Sequence, residues 1–138
     1  MTDIFSKKKR SEIMSKIRSK NLKQELFIRK LVYSMGYRYR LHEKNLPGKP
    51  DLAFPGLKKA IFVNGCFWHG HNHCQKSDLP LQNHAFWEKK ITSNVKRDRI
   101  ICKNLKNSGW DCLTIWQCDI KDTNKEKLGK KIRNFLEK

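Results

Sequence analysis

A loop rich in cysteine and histidine is the part of the sequence where chemistry is first expected. The stretch VNGCFWHGHNHCQ, residues 63–75, holds three histidines and two cysteines within thirteen positions. Thiolates and imidazoles are the ligands that zinc prefers, and four protein ligands make a closed, structural site. A fourth ligand is expected from the end of a later strand. The candidate zinc ligands are Cys66, His71, Cys74 and Cys118.

Two histidines of this loop remain after a zinc ion has taken one. These are His69 and one of His71 or His73, and the spacing alone leaves that second choice open. A neutral imidazole close to a structural ligand is held rigidly and can act as a general base toward water attacking phosphorus. The alternative is a partly exposed loop histidine without a catalytic role.

Two consecutive aromatic residues, Phe67 and Trp68, lie between Cys66 and His69. Neighbouring side chains cannot easily point into the same core, so at least one of the two rings is expected to face outwards. On a basic protein, an outward aromatic side chain can wedge between base pairs of DNA.

Two carboxylates fall on helix faces that otherwise carry apolar residues. Asp98 lies on the apolar stripe of a long helix, and a buried carboxylate needs a partner. That partner could be a cation, a metal-bound water or a histidine, with an ion pair to Arg97 or Arg99 as the alternative. Glu25 occupies a similar position on an earlier helix, where a favourable interaction with the helix dipole is the alternative explanation.

A third carboxylate, Asp51, directly follows Pro50 and opens a short strand. A carboxylate at a sheet edge can hold a hard cation against a phosphate, as metal-dependent nucleases require. Many Pro-Asp pairs are simply turns, so this signal is weak when taken alone.

Hydrophobic periodicity predicts the elements that must position these residues. The expected fold class is α/β, a mixed β-sheet with helices on both faces, and strands 51–54 and 60–63 should pair as a hairpin. Cys102 and Cys112 are expected to be core residues. The predicted helices cover residues 22–35, 84–107 and 125–136, and the predicted strands cover residues 37–42, 51–54, 60–63 and 110–118.

The composition favours a polyanionic partner. Among 138 residues, 31 are Lys or Arg and 13 are Asp or Glu, which gives a formal charge of +18. Nucleic acid is therefore the expected partner, with a merely soluble basic surface as the alternative. The length fits a single domain spanning residues 1–138, in which residues 1–10 form a flexible basic arm.

The sequence contains no apolar run long enough to span a membrane and no apolar segment typical of a signal peptide. We therefore expect a cytoplasmic protein without a membrane partner. In a reducing compartment, clustered thiols indicate metal binding before they indicate disulfides.

Three stretches in the order LPGKPD, NGCFWH and FWEKKITSNVKRDR resemble the very short patch repair (Vsr) DNA mismatch endonuclease family, over about residues 10–118. The resemblance implies a restriction-endonuclease-like fold with a structural zinc site. It also implies an Mg²⁺-dependent endonuclease that nicks one strand of duplex DNA 5′ to the thymine of a T:G mismatch. Such mismatches arise by deamination of 5-methylcytosine. The implied enzyme acts on double-stranded DNA and is nucleoid-associated when bound to it, with other mismatch-repair proteins as possible partners. One compact basic domain that nicks an asymmetric lesion has no need of two-fold symmetry, so we expect a monomer.

The resemblance also implies a role for each candidate residue. Asp51 and the main-chain carbonyl of Val63 would bind magnesium, and His69 would be the general base. Asp98 and Glu25 would be active-site carboxylates. The implied intercalating residues are Phe67, Trp68 and Trp87, and the implied zinc ligands are Cys66, His71, Cys74 and Cys118.

The sequence departs from the family pattern at two positions. Position 64 is often an active-site histidine in the family, but here it is Asn64, which can only form hydrogen bonds. The extra His73 is an alternative zinc ligand, although the family spacing favours His71. Two other functions are compatible with the residues: a restriction-type nuclease that cuts matched DNA, and a non-catalytic zinc DNA-binding module.

Overall fold

Three helices and four strands make up the described part of the chain, which in this computed structural model comprises residues 23–72, 74–75 and 78–138. Two short 3₁₀ helices, Gln117–Asp119 and Asp122–Asn124, follow the last strand. The elements in chain order are helix α1 (residues 23–34), strands β1 (Arg40–Leu41), β2 (Leu52–Phe54) and β3 (Lys59–Asn64), helix α2 (His84–Asn107), strand β4 (Asp111–Trp116) and helix α3 (Lys125–Leu136).

The four strands form one mixed sheet in the order β1-β2-β3-β4. Strands β2 and β3 form the predicted hairpin, in which Leu52 pairs with Ile61 in antiparallel register. Strand β1 extends the hairpin on one side, and β4 pairs in parallel with β3 on the other. Parallel neighbours need a crossover connection, and α2 supplies it.

The helices pack on both faces of the sheet, as the sequence predicted. Side chains alternate between the faces of a strand, so residues two apart share a face. One face and helices α1 and α3 together form the main core, which includes Ile28, Leu31, Val32, Leu52, Phe54, Ile61, Ile115, Leu128, Ile132 and Leu136. On the opposite face, the Cys112 thiol of β4 donates to Cys102 Sγ of α2 at 3.0 Å. These two cysteines are only half-buried, less enclosed than the predicted core positions.

The first strand is shorter than predicted. The alternation over residues 37–42 predicted a strand of that length, but only Arg40–Leu41 pairs with a neighbour. Tyr37 and Tyr39 still place their rings edge-on against Phe54, at centroid distances of 6.5 and 6.4 Å. The Tyr37 amide donates to the end of α1 rather than to the sheet. Over residues 37–39, the alternating pattern thus reflects contact with the core and not strand pairing.

The last strand also ends early, at Trp116 instead of residue 118. The chain turns there into the 3₁₀ helix Gln117–Asp119, which carries Cys118 toward the cysteine-rich loop. Helices α2 and α3 have the bounds that the periodicity predicted. The predicted basic arm at residues 1–10 lies outside the described residues, and so does residue 22.

None of the described helices has both the length and the apolar character that crossing a membrane requires.

Candidate functional site

A histidine and a carboxylate from different elements meet at the mouth of a cleft. His69 follows β3, Asp98 lies on α2, and His69 Nδ1 is 2.6 Å from Asp98 Oδ2. About a quarter of each side chain remains exposed to solvent. A carboxylate that accepts the Nδ1 proton fixes the tautomer and leaves the other ring nitrogen able to accept a proton. Of the partners considered for Asp98, the structure therefore provides a histidine.

The loop that carries His69 is held by hydrogen bonds within itself and to α2. The His69 amide donates to the carbonyl of Gly65 at 3.2 Å. The Asn94 side chain of α2 donates to the carbonyl of Trp68 at 2.9 Å. Gly70 follows with φ of 57°, and a Cβ there would lie 2.8 Å from the side chain of Ile91. Because the loop packs so closely on α2, His69 is held beside Asp98.

The second group of candidate residues lies around Asp51. Asp51 Oδ2 accepts a hydrogen bond from the Val63 amide at 2.7 Å, so the hairpin brings these two expected magnesium ligands together. Candidate ligand atoms of Glu25, His42 and Asp51 all lie within 4.8 Å of one another. Glu25 is buried, and its Oε1 accepts a hydrogen bond from Arg29 Nη2 at 2.9 Å. A cluster with two carboxylates and an imidazole can bind a divalent cation.

Burial raises the pKa of Asp51, and the nearby Glu25 carboxylate raises it further. The hydrogen bond from the Val63 amide and the neighbouring histidines His42 and His69 act in the opposite direction. The Asp51 carboxylate is thus ionised at a cost in free energy. A bound cation would offset that cost, which fits the donor set to a metal ion.

One cleft joins these groups. It has a volume of about 470 Å³ and lies between α2 and the adjoining face of the sheet. Lys44, Lys49 and Arg97 contribute positive charge to its lining, as a phosphate-binding cleft requires. The candidate residues that line it are Asp51, Val63, Asn64, His69 and Asp98. Glu25 reaches this group through Asp51 and His42.

The four candidate zinc ligands also converge. Cys66, His71, Cys74 and Cys118 place one ligand atom each within 4.8 Å of the others. Cys118 Sγ lies 3.5 Å from His71 Nδ1, and the His71 ring stacks on Trp116 at a centroid distance of 4.1 Å. Three sulfurs and one imidazole so close together suit a tetrahedral metal ion. His73, the alternative ligand, lies outside the described residues.

Burial raises the pKa of the Cys66 thiol to about 12, and hydrogen bonds to Cys118 and Cys74 are among the smaller contributions. Thiolates are the form that binds a metal ion, so metal binding here would release protons.

The three candidate intercalating residues form one aromatic cluster. Phe67 lies 5.2 Å from Trp68 and 5.5 Å from Trp87, and the two tryptophan rings are 5.8 Å apart, all edge to face. All three rings are half-buried. Although Phe67 and Trp68 are consecutive, their rings contact each other and belong to the same cluster. Phe86 extends this cluster into solvent, with 47% of its surface exposed and its ring 5.1 Å from Trp87.

Sequence reasoning missed three residues near these sites: Arg29, His42 and Phe86. His42 had a detectable signal, since it ends the alternating stretch YRYRLH opposite the start of β2. Its amide donates to the Asp51 carbonyl at 3.4 Å, which places its ring near the carboxylates. The position of Arg29, one helical turn after Glu25, was also visible in the sequence.

Comparison with known proteins places the chain among DNA endonucleases. The family model described as DNA mismatch endonuclease Vsr matches residues 2–76. The type II nicking enzyme V.XorIIP of Xanthomonas oryzae pv. oryzae is 42% identical over 99% of this chain and 98% of its own length. The type II nicking enzyme V.NmeAIP of Neisseria meningitidis is 40% identical over 98% of this chain and 97% of its own length.

The DNA mismatch endonuclease Vsr of Escherichia coli is 34% identical over 91% of this chain and 80% of its own length. These matches extend past residue 76 and therefore include the segment that contributes Asp98 and Cys118. The chain belongs to the Vsr family of DNA mismatch endonucleases and is a DNA endonuclease.

Proposed function

We propose that this endonuclease nicks one strand of duplex DNA 5′ to the thymine of a T:G mismatch left by deamination of 5-methylcytosine. Membership of the Vsr family supports the proposal, as do relatives named as nicking enzymes and as a mismatch endonuclease. The observation that carries it is the hydrogen-bonded pair His69 and Asp98 at the cleft that Asp51 also lines.

The reaction is hydrolysis of a phosphodiester. His69 Nε2 accepts a proton from a water molecule, whose oxygen bonds to phosphorus while the bond to the 3′ oxygen breaks. Asp98 holds the imidazole in the required tautomer and stabilises its protonated form. Asn64 is buried and lines the same cleft as His69. Its amide can donate or accept hydrogen bonds, but it cannot take up or release a proton as a general base or acid does. One histidine is therefore responsible for the general-base step.

A magnesium ion fits the other end of the cleft. Asp51 and the main-chain carbonyl of Val63 would hold it, and Glu25 would order the waters around it. Bound there, magnesium supplies positive charge to the scissile phosphate and to the leaving oxygen. Lys44, Lys49 and Arg97 position the neighbouring phosphate groups.

We also propose that Cys66, His71, Cys74 and Cys118 hold a structural zinc ion and that the mixed sheet is a variant of the restriction-endonuclease fold. Four protein ligands would complete the tetrahedral coordination of zinc, so no coordination position would remain for a substrate or water. The ion would fix the loop that carries His69 and the aromatic cluster.

The aromatic cluster supplies the selectivity. Phe67, Trp68 and Trp87 insert next to the mismatch, where separating stacked bases costs less than in paired DNA. Their edge-to-face packing keeps the rings together as one wedge before DNA is bound.

A nicking assay on matched pairs of duplexes tests the proposal. With Mg²⁺ present, the protein should nick a T:G duplex on the thymine strand and leave the T:A duplex of the same sequence intact. Equal cleavage of both duplexes would instead identify a restriction-type nuclease. Binding of both without cleavage would identify a non-catalytic DNA-binding module.

Two variants test the proposed general base in the same assay. His69→Ala should lower the single-turnover rate by about 10²–10⁴-fold. Asp98→Asn should lower it less and should change its pH dependence, because the amide no longer stabilises a protonated imidazole. Asp122→Asn, an exposed carboxylate in the second 3₁₀ helix, is the control and should keep the wild-type rate. A wild-type rate for His69→Ala at neutral pH would exclude the general-base role.

A further inference from the structure

The imidazole of His42 lies between two carboxylates that belong to different elements. Its Nε2 is 2.9 Å from Glu25 Oε1 of α1, and its Nδ1 is 3.9 Å from Asp51 Oδ1, just before β2. The first distance is that of a hydrogen bond, and the second is too long for one. A separation of this length leaves room for a third body that contacts both atoms.

The shorter contact suits a ring that carries its proton on Nε2. If Nε2 were unprotonated, its lone pair would face the Glu25 oxygen at 2.9 Å, which is repulsive. With a proton on Nε2, the ring donates to Glu25 and the neutral form has its lone pair on Nδ1. That lone pair faces Asp51.

The carboxylate of Asp51 presents a complementary arrangement. Its Oδ2 accepts the hydrogen bond from the Val63 amide, while the oxygen that faces His42 is Oδ1. When the His42 ring is neutral in this tautomer, an unprotonated nitrogen and a carboxylate oxygen face each other across the gap, both electron donors. A cation is the body that two such donors attract.

The surroundings of His42 hold this orientation. Arg29 Nη2 donates to the same Glu25 oxygen at 2.9 Å and lies 3.3 Å from His42 Nε2, so the guanidinium, the carboxylate and the ring nitrogen meet at one point. The backbone of His42 has φ of 47°, in the left-handed region that residues other than glycine rarely adopt. Such conformations persist where the surrounding contacts impose them, often at functional sites.

We propose that His42 Nδ1 is a nitrogen ligand of the cation at Asp51, with Glu25 as the carboxylate that orients the ring. The sequence of contacts from Arg29 to Glu25 to His42 matches the usual pattern of metal-binding histidines, whose second N–H is given to a carboxylate. The inference rests on the role of Asp51 in metal binding put forward above, and extends it to a residue outside that set.

The donor set determines which ion is preferred. Magnesium favours oxygen ligands and retains much of its water, whereas imidazole favours first-row transition ions. The site should therefore bind Mn²⁺ more tightly than Mg²⁺, and His42 should account for most of that difference.

The test is Mn²⁺ binding to the full-length protein preloaded with zinc, so that the cysteine cluster does not compete. Pulsed electron paramagnetic resonance should detect coupling of Mn²⁺ to a ¹⁴N nucleus in the wild type and lose it in His42→Ala. The Mn²⁺ affinity of His42→Ala should fall about ten- to a hundredfold, as when other groups around a metal are removed. The affinity for Mg²⁺, measured by competition, should change much less.

His84→Ala is a matched control. His84 is as exposed as His42, at 52%, and its Nδ1 also lies near a carboxylate, 3.6 Å from Glu88 Oε2. This variant should keep both the ¹⁴N coupling and the wild-type Mn²⁺ affinity. A second variant, His42→Gln, should behave as His42→Ala does, and it decides the question if the alanine variant has lost the wild-type circular dichroism spectrum.

Two results would overturn the inference: ¹⁴N coupling that persists without His42, or wild-type protein that binds Mn²⁺ with no nitrogen coupling. Neither depends on nicking. If nitrogen coupling requires His42 but the protein does not nick T:G duplexes, the proposed function fails and the inference stands. If the protein nicks T:G duplexes and coupling is independent of His42, only the inference fails.

Discussion

Two candidate catalytic side chains in the cleft, His69 and Asp51, each have one polar atom engaged in a hydrogen bond and another directed elsewhere. Asp98 engages Nδ1 of His69 and leaves Nε2, while the Val63 amide engages Oδ2 of Asp51 and leaves Oδ1. The sequence predicted a partner for Asp98 because a carboxylate on an apolar stripe needs one. It did not predict the hydrogen bond to Asp51, because that contact depends on the register of the β2-β3 hairpin, which periodicity does not determine.

The burial of Asp51 predicts that removing its charge stabilises the protein. Burial raises the pKa of Asp51 in the folded state above its value in the unfolded state. Between these two pKa values the native state binds more protons than the unfolded state, so the free energy of unfolding falls as the pH rises. Asp51→Asn, whose side-chain oxygen can still accept from the Val63 amide, should therefore raise Tm at pH 7 by a few degrees while abolishing nicking. The gain should shrink as the pH approaches about 4, near the pKa of an unfolded aspartate.

Thermal unfolding followed by circular dichroism, without added magnesium, measures this effect. Asp78→Asn replaces an exposed carboxylate and should leave Tm unchanged. A lower Tm for Asp51→Asn at neutral pH would mean that attraction to the neighbouring histidines outweighs the cost of burial.

At the scale of elements, the connection between β3 and α2 decides where the candidate residues lie. Periodicity gave the bounds of α2 and α3, since each helix turns one face inward, and the turn at Pro55 and Gly56 gave the pairing of the hairpin. The connection has no such period. Its conformation depends on contacts with α2, on the 3₁₀ helix Gln117–Asp119 and on the cysteine cluster, which come from distant parts of the sequence. Residue types could indicate its ligands but not its path.

The close approach of this connection to α2 predicts a large effect of a single methyl group. In Gly70→Ala, the new Cβ would lie 2.8 Å from Ile91 Cγ2 and 2.9 Å from Val95 Cγ2, at a positive φ. Such overpacking typically costs about 1–3 kcal/mol. The displaced loop should also move His69 away from Asp98, so both Tm and the nicking rate should fall.

Gly56→Ala provides the comparison, because a Cβ at Gly56, in the β2-β3 turn, would meet no atom within 4 Å. Its Tm and nicking rate should stay close to those of the wild type. If both glycine variants melted at the same temperature, the loop would not be packed on α2 as described.

At the scale of the whole molecule, the charge of +18 governs how the protein meets DNA. A cation-rich cleft attracts every duplex, so net charge contributes affinity and association rate without reading sequence. In the proposed mechanism, selectivity comes from the aromatic cluster and the deformability of the mismatch. The sequence predicted the polyanionic partner from composition alone, but the positions of the basic residues around the cleft required the fold.

If net charge provides affinity and the aromatic cluster provides selectivity, affinity and selectivity should depend differently on salt. If the protein neutralises about 6–10 phosphates, its affinity for a matched duplex should fall about 10³–10⁵-fold between about 50 and 200 mM salt. The ratio of affinities for T:G and T:A duplexes should change far less, as fluorescence anisotropy on both duplexes at each salt concentration would reveal. Trp87→Ala should reduce that ratio without changing the slope, whereas a salt-independent affinity would contradict an electrostatic mode of binding.

The parallel pairing of β3 with β4 makes folding depend on joining distant parts of the chain. The β2-β3 hairpin closes over a tight turn, but Cys66 at the end of β3 donates its amide to Gln117 after β4, 51 positions along the chain. A contact between residues so far apart in the sequence costs more chain entropy than a local contact, and it forms slowly during folding. Two of the proposed zinc ligands, Cys66 and Cys118, lie at this junction. A metal ion bound there would act as a reversible cross-link between the ends of β3 and β4. Binding of the ion would therefore stabilise the long-range contact that forms most slowly during folding.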